Sequence, residues 1–142
     1  MPLPDDPWWR DFIDELPART AKIAQVTANG GPRVAPIWVA RDKDELVFTT
    51  GTDTAKGKAL RRDPRVAMCF DDERPPFSYV IVHGSASISE DLDALRHWAT
   101  VIGGRYMGAD QAEQFGARNA VPGELLVRVA ITKVITARDV AD

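Results

Sequence analysis

The chain has 142 residues, 44% of them hydrophobic and 27% charged, with a net charge of −3. That length fits one domain over residues 1–142 around a single core, and the charge excludes a general attraction to nucleic acid or anionic membrane, so any anion site must be a local basic cluster. The lone cysteine, Cys69, excludes an internal disulfide framework and a multi-cysteine metal site. It lies in the apolar run "RVAMCF" and reads as a buried core thiol suited to a reducing compartment. No stretch approaches the roughly 18 apolar residues of a membrane span, and the acidic, proline-rich start "MPLPDDPWWRDF" is unlike a secretory signal. The expected location is the cytoplasm.

Taken in chain order, "WWRDFIDEL" reads as a helix, with Asp5 or Asp6 as cap and Pro7 at its first position. Trp8, Trp9, Phe12, Ile13 and Leu16 fall on one apolar face that needs a cover. Pro17 ends it. Residues 20–28 and 33–40 flank "NGGP", a strong hairpin signal. Pro36 inside the second run marks an edge, a bulge or a backbone approached by a ligand. Residues 45–51, "ELVFTTG", make a third strand. A short helix follows, capped by Thr52, Asp53 or Thr54 and ending near Asp63 before Pro64. Residues 65–72 and 77–90 are strands, the second with a bend or bulge at Gly84. Residues 91–108 are helical, capped by Asp91 and ended by glycine. "DQAEQFGARNA" is a shorter helical piece, and residues 122–140 close the chain as a strand. Six strands with peripheral helices point to a mostly β (α+β) antiparallel barrel, in which closure removes exposed edges.

The usual catalytic constellations are missing from the sequence. His83 and His97 are the only histidines, and no ligand pair has metal spacing. Neither a G-x-S-x-G elbow nor a phosphate-binding G-x-x-x-x-G-K-[ST] loop occurs. The strongest candidate is "TTGTDTAKGKALRRDPRV", residues 49–66. A helix N-terminus exposes free N–H groups and a positive dipole end, with the Thr52 and Thr54 hydroxyls and the charges of Lys56 and Lys58 beside it. Cations there oppose the dipole, a mild misfit that an anionic ligand would relieve. The spacing alone fits two readings, a phosphate cradle or a helix whose lysines are merely solvated. A second feature is the strand at Val34, Ala35, Pro36 and Ile37. If it lies beside Thr49 and Thr50, the two form a backbone wall on which a flat ring could rest, or else ordinary barrel packing.

The order hairpin, "LVFTT", "TAKGKALRRDPRVAMCF", "SYVIVHGSASI" resembles the pyridoxamine 5'-phosphate oxidase-like split β-barrel family, from about Thr20 to Ile88 and more loosely to the closing strand. The resemblance implies a homodimer that binds FMN or the deazaflavin F420 in a groove between subunits. It implies that Lys56 contacts the cofactor phosphate and that Lys58 supplies a second charge, because Ala55 stands where the FMN enzymes carry another basic residue. It places Val34–Ile37 against the ring, Thr49, Thr50 and Gly51 near the ribityl chain and phosphate, and Ser78 and Tyr79 close to the cofactor.

The tail "GGRYMGADQAEQFGARNAVPGELLVRV" resembles the actinobacterial branch that uses F420, whose polyanionic tail suits a basic lip extended by Arg61, Arg62 and Arg65. The expected function is hydride transfer from reduced F420 to an unsaturated, small hydrophobic substrate, with Trp38, Tyr79, Trp98, Tyr106 and Met107 as candidates for its apolar wall. The cofactor carries the chemistry and the protein supplies position, so no catalytic side chain is named. The alternatives are FMN in the same fold and a non-catalytic F420 or ligand carrier.

Overall fold

The computed structural model describes residues 2–142. The first helix, α1 (Trp8–Asp14), begins where Asp6 Oδ1 accepts the Trp8 N–H at 3.0 Å. Its apolar face is covered by the chain's own core: Trp9, Phe12 and Ile13 are buried, each such side chain contributing roughly 1.5–3 kcal/mol. Leu16 does not join that face. The helix stops at Asp14, residues leading into Pro17 turn extended because the proline ring disfavours helical backbone before it, and Leu16 is 65% exposed.

The strands are β1 (Ala21–Val26), β2 (Pro32–Ile37), β3 (Ala40–Asp42), β4 (Glu45–Gly51), β5 (Arg65–Asp71), β6 (Tyr79–Ser89) and β7 (Glu124–Ala137). Helix α2 (Ala55–Arg62) joins β4 to β5. Helix α3 (Leu92–Met107), a 3-10 turn at Ala109–Gln111 and α4 (Ala112–Asn119) join β6 to β7. All pairings are antiparallel and the order is β2-β1-β5-β6-β7-β4-β3. The two end strands are consecutive in the chain, so the sheet curls until its edges are joined by Trp38 and Val39, giving the split-barrel form.

The sheet has seven strands, not six, because residues 33–40 are not one strand. At Trp38 the chain leaves β1 and crosses to β4. Val39 is fully buried there without a ladder partner, and buried backbone groups must be bonded. Two consecutive residues of α3 do this: the Tyr106 hydroxyl accepts the Val39 N–H at 3.2 Å, and Arg105 Nε donates to the Val39 carbonyl at 3.1 Å. Arg105 also donates to the carbonyls of Ile13 at 3.1 Å and Asp14 at 3.3 Å, tying the end of α1 to the same point.

Pro36 does lie on an edge strand, where a missing N–H is tolerated, and the β6–β7 register shifts between His83 and Gly84. Side chains alternate, with Val66, Met68 and Phe70 of β5 and Val80 and Val82 of β6 pointing into the core. Cys69 has the opposite parity. It is half-buried on the outer side of β5, not in the core, and burial together with nearby Asp71 pushes its thiol pKa up, which keeps it a weak nucleophile. Val47 and Leu126 face outward yet are buried, because α3 covers them through Leu95. Among the described residues no helix is long and apolar enough to cross a membrane.

Candidate functional site

The corner between β4 and α2 is built by threonines and one glycine. Thr54 is the N-cap: its Oγ1 accepts the Gly57 N–H at 3.0 Å, donates to the Gly51 carbonyl at 2.8 Å and lies 2.8 Å from Thr50 Oγ1. The hydroxyls of Thr50 and Thr54 are thus occupied within the loop and shape the corner. Gly57 is required by space, since a Cβ there would sit 2.5 Å from the Gly51 carbonyl oxygen. Any side chain would push α2 away from β4.

Buried Gln25 fixes this corner to the sheet. Its Nε2 donates to the Lys56 carbonyl at 3.2 Å, and its Oε1 accepts from Arg33 Nη1 at 2.8 Å. Arg33 is therefore linked through one side chain to the first turn of α2. The sequence reading missed both residues; the one available signal was a polar Gln25 at an inward position of β1, which demands a partner.

Beside the corner lies a cleft of about 220 Å³ lined by Pro36, Ile37, Trp38, Thr49, Lys56, Ala99, Ile102, Gly103, Phe115 and Asn119. Strands β2 and β4 are not hydrogen-bonded neighbours, yet they face each other here, because the crossover at Trp38–Val39 folds one edge of the sheet over the other. The floor on the α3 side is apolar. A Cβ on Gly103 would lie 2.6 Å from Phe115 Cβ, so glycine lets α4 pack against α3 and seats Phe115 at the cleft. Trp38 stacks on Tyr106 with centroids 5.1 Å apart and an interplanar angle of 2°, and meets Phe115 edge-on at 5.6 Å. The side chains of Lys56, Thr49 and Asn119 have no hydrogen-bond partner among the described residues, so a cation, a hydroxyl and an amide enter the cleft with capacity to spare.

Of the residues expected at a site, Pro36, Ile37, Thr49 and Lys56 are brought together. Val34, 68% exposed, and Ala35 continue the same strand outside the lining, and Gly51 belongs to the corner. Lys58 is exposed and two residues from Lys56, a spacing that puts it on another face of the helix. Arg61 donates to Thr52 Oγ1 at 3.1 Å, and Arg65 is paired with Asp63 at 2.7 Å. Ser78 and Tyr79 are not in the cleft. Tyr79 opposes Ala137, whereas it is Ser89 that opposes Leu126, the partner of Thr49, so Tyr79 lies about 33 Å further along the strand. Trp38 borders the cleft and Tyr106 backs it. Trp98 instead packs on Val47, Leu95 and Leu126 beneath Arg128, and Met107 is exposed.

A second, larger hollow of about 380 Å³ is lined by Glu15, Pro17, Arg19, Thr20, Lys22, Asp71, Asp72, Glu73 and Arg74. Its three cations are all paired: Arg19 with Glu15 at 2.8 Å, Lys22 with Asp71 at 2.8 Å and Arg74 with Asp72 at 3.0 Å. Hydrogen bonds from the Arg74 side chain, then from its backbone N–H, hold the Asp72 carboxyl down to about 2.

The family model described as pyridoxamine 5'-phosphate oxidase matches residues 7–137. A curated relative, the pyridoxine/pyridoxamine 5'-phosphate oxidase of Alkalilimnicola ehrlichii, is 28% identical over 90 residues, which are 63% of this chain and 44% of that protein. The chain thus matches less than half of that relative's length. Among solved structures, a conserved hypothetical protein of Mycobacterium tuberculosis superposes with a TM-score of 0.82 at 23% identity, over 98% of this chain and 89% of the other. An F420 reductase superposes with a TM-score of 0.71 at 24% identity, over 93% of this chain and 98% of the other. These two likenesses establish the fold, an antiparallel split barrel. With the family model matched across nearly its whole length, the chain belongs to the pyridoxamine 5'-phosphate oxidase family.

Proposed function

We propose that the cleft binds a phosphate-bearing flavin-type cofactor, F420 in preference to FMN, and that the protein is an F420-dependent reductase of small unsaturated hydrophobic molecules. The observation that carries this reading is Lys56. It is half-buried, is the one charged residue among those described as lining the cleft, has no ion-pair partner among the described residues, and is held from behind by Gln25, which also holds Arg33.

The residues fit such a group. Lys56 would take the phosphate, and the Pro36–Trp38 backbone and the Thr49 hydroxyl would meet the polar edge of the ring. Ile102 and Phe115 would exclude water from its apolar side. Reduced F420, when bound, supplies a hydride for an electron-poor double bond. The chain's own part is to bind, orient and desolvate. The preference for F420 is supported by three further cations exposed on the same short helix, Lys58, Arg61 and Arg62, and by the F420 reductase among the structural relatives.

The cleft of about 220 Å³ is smaller than the roughly 300–1,000 Å³ of a complete small-molecule pocket. One chain supplies part of the site and a second copy completes it, which would also give Ser78 and Tyr79 a role. Titration with F420 and FMN side by side, read by fluorescence, tests the cofactor assignment. Tighter binding of F420 is expected, and a flavin retained on purification would reverse the preference. Turnover is tested by mixing reduced F420 with a panel of enones and quinones. The oxidised F420 absorbance should appear; saturable binding without oxidation across the panel would make the protein a carrier.

A further inference from the structure

Val39 is buried and lies outside every strand, so its N–H and carbonyl depend wholly on the side chains of Tyr106 and Arg105. The Tyr106 hydroxyl is fully committed: it accepts from Val39 and donates to the Arg19 carbonyl at 2.6 Å. The same phenol ring lies flat against the indole of Trp38, the residue preceding Val39. One side chain thus fixes both the backbone of the crossover and the ring that the crossover carries into the cleft. Trp38 remains 38% exposed although it is stacked by Tyr106 and met edge-on by Phe115, so part of the indole is left for a ligand. A rigid aromatic surface of this kind favours flat, conjugated partners over puckered ones of the same size, because offset stacking needs two planes.

We propose that Tyr106 is a positioning residue that presents Trp38 as a fixed stacking wall, and that this wall selects flat conjugated substrates. The proposal rests on the reading of the cleft as the binding site, but not on which cofactor it takes. Tyr106→Phe keeps the stacked ring and removes both hydrogen bonds. Trp38→Leu removes the wall and leaves the hydrogen bonds of Tyr106 intact.

The test uses the full chain and two cofactor-free probes, 2-acetylnaphthalene and its saturated counterpart 2-acetyldecalin, with affinities measured by NMR titration. The wild type should bind the flat ketone more tightly. Each variant should weaken the flat ketone by about three- to tenfold and leave the decalin ketone within about twofold. The double variant should be no weaker than Trp38→Leu alone, because the two changes remove the same contact. In Tyr106→Phe the Val39 amide should exchange with solvent about tenfold faster.

Equal affinity of the wild type for the two ketones, or none for either, would overturn the proposal. So would an unchanged preference in Trp38→Leu, additive losses in the double variant, or unchanged Val39 exchange. Failure of the cofactor assignment would show separately, as F420 and FMN affinities that ignore Lys56.

Discussion

Two hollows of this barrel contain cations, and they differ in what those cations face. In the hollow at Arg19, Lys22 and Arg74 every cation faces a carboxylate of the same chain. In the cleft at Lys56 the cation faces an opening and is backed by apolar side chains. The paired hollow is the larger by volume, about 380 against 220 Å³, yet its positive charges are already neutralised. Size and charge alone therefore do not single out a candidate site; an unpaired cation held by a rigid frame is what sets the Lys56 cleft apart.

That contrast can be broken first at the frame. Gly57→Leu should cost about 2–3 kcal/mol of stability, because its Cβ meets the Gly51 carbonyl, and should abolish ligand binding as α2 shifts. Chemical denaturation and a binding titration read the two effects. Arg105→Met should cost about 2 kcal/mol, since the carbonyls of Ile13, Asp14 and Val39 lose a shared donor. In the paired hollow, Lys22→Met removes an ion pair between groups that are each more than a third exposed. It should change stability by less than about 0.5 kcal/mol and leave F420 affinity unchanged.

The smallest effect is in pH dependence. The Asp72 carboxyl, and likewise Asp63 beside Arg65, is held down to about 2 from an ordinary 3.8. A folded-state pKa below the unfolded one contributes stability that is present above pH 3.8 and lost as pH falls through about 2. Acid titration between those values should show this loss, with NMR placing the Asp72 midpoint near 2. In Asp72→Asn the Asp72 share of the acid transition should vanish while that of Asp63 remains, and F420 affinity at neutral pH should not move.

Local signals carried much of the fold. Thr54 and Asp91 cap the helices that they precede, Pro36 sits on an edge strand and Gly84 at a bulge, because caps, prolines and bulges act within a few residues. What escaped the sequence depends on residues far apart in the chain. The break at Trp38 exists because Arg105 and Tyr106, more than sixty residues away, satisfy the Val39 backbone. Of the site, Lys56, Thr49, Pro36 and Ile37 were legible from the order of motifs. The α3–α4 wall was not, since Ala99, Ile102 and Phe115 read as ordinary helical core until the hairpin is folded against the crossover. The Gln25–Arg33 link was equally hidden, because a single polar residue in a strand does not say which partner it has.

The most direct measurement is the F420 affinity of three proteins in one buffer: wild type, Lys56→Ala and Lys22→Ala. Loss of about tenfold or more in Lys56→Ala, some 1.4 kcal/mol, with Lys22→Ala unchanged, is the expected result. Equal affinities in all three, or a loss confined to Lys22→Ala, would contradict the assignment of Lys56 as the cofactor-phosphate cation.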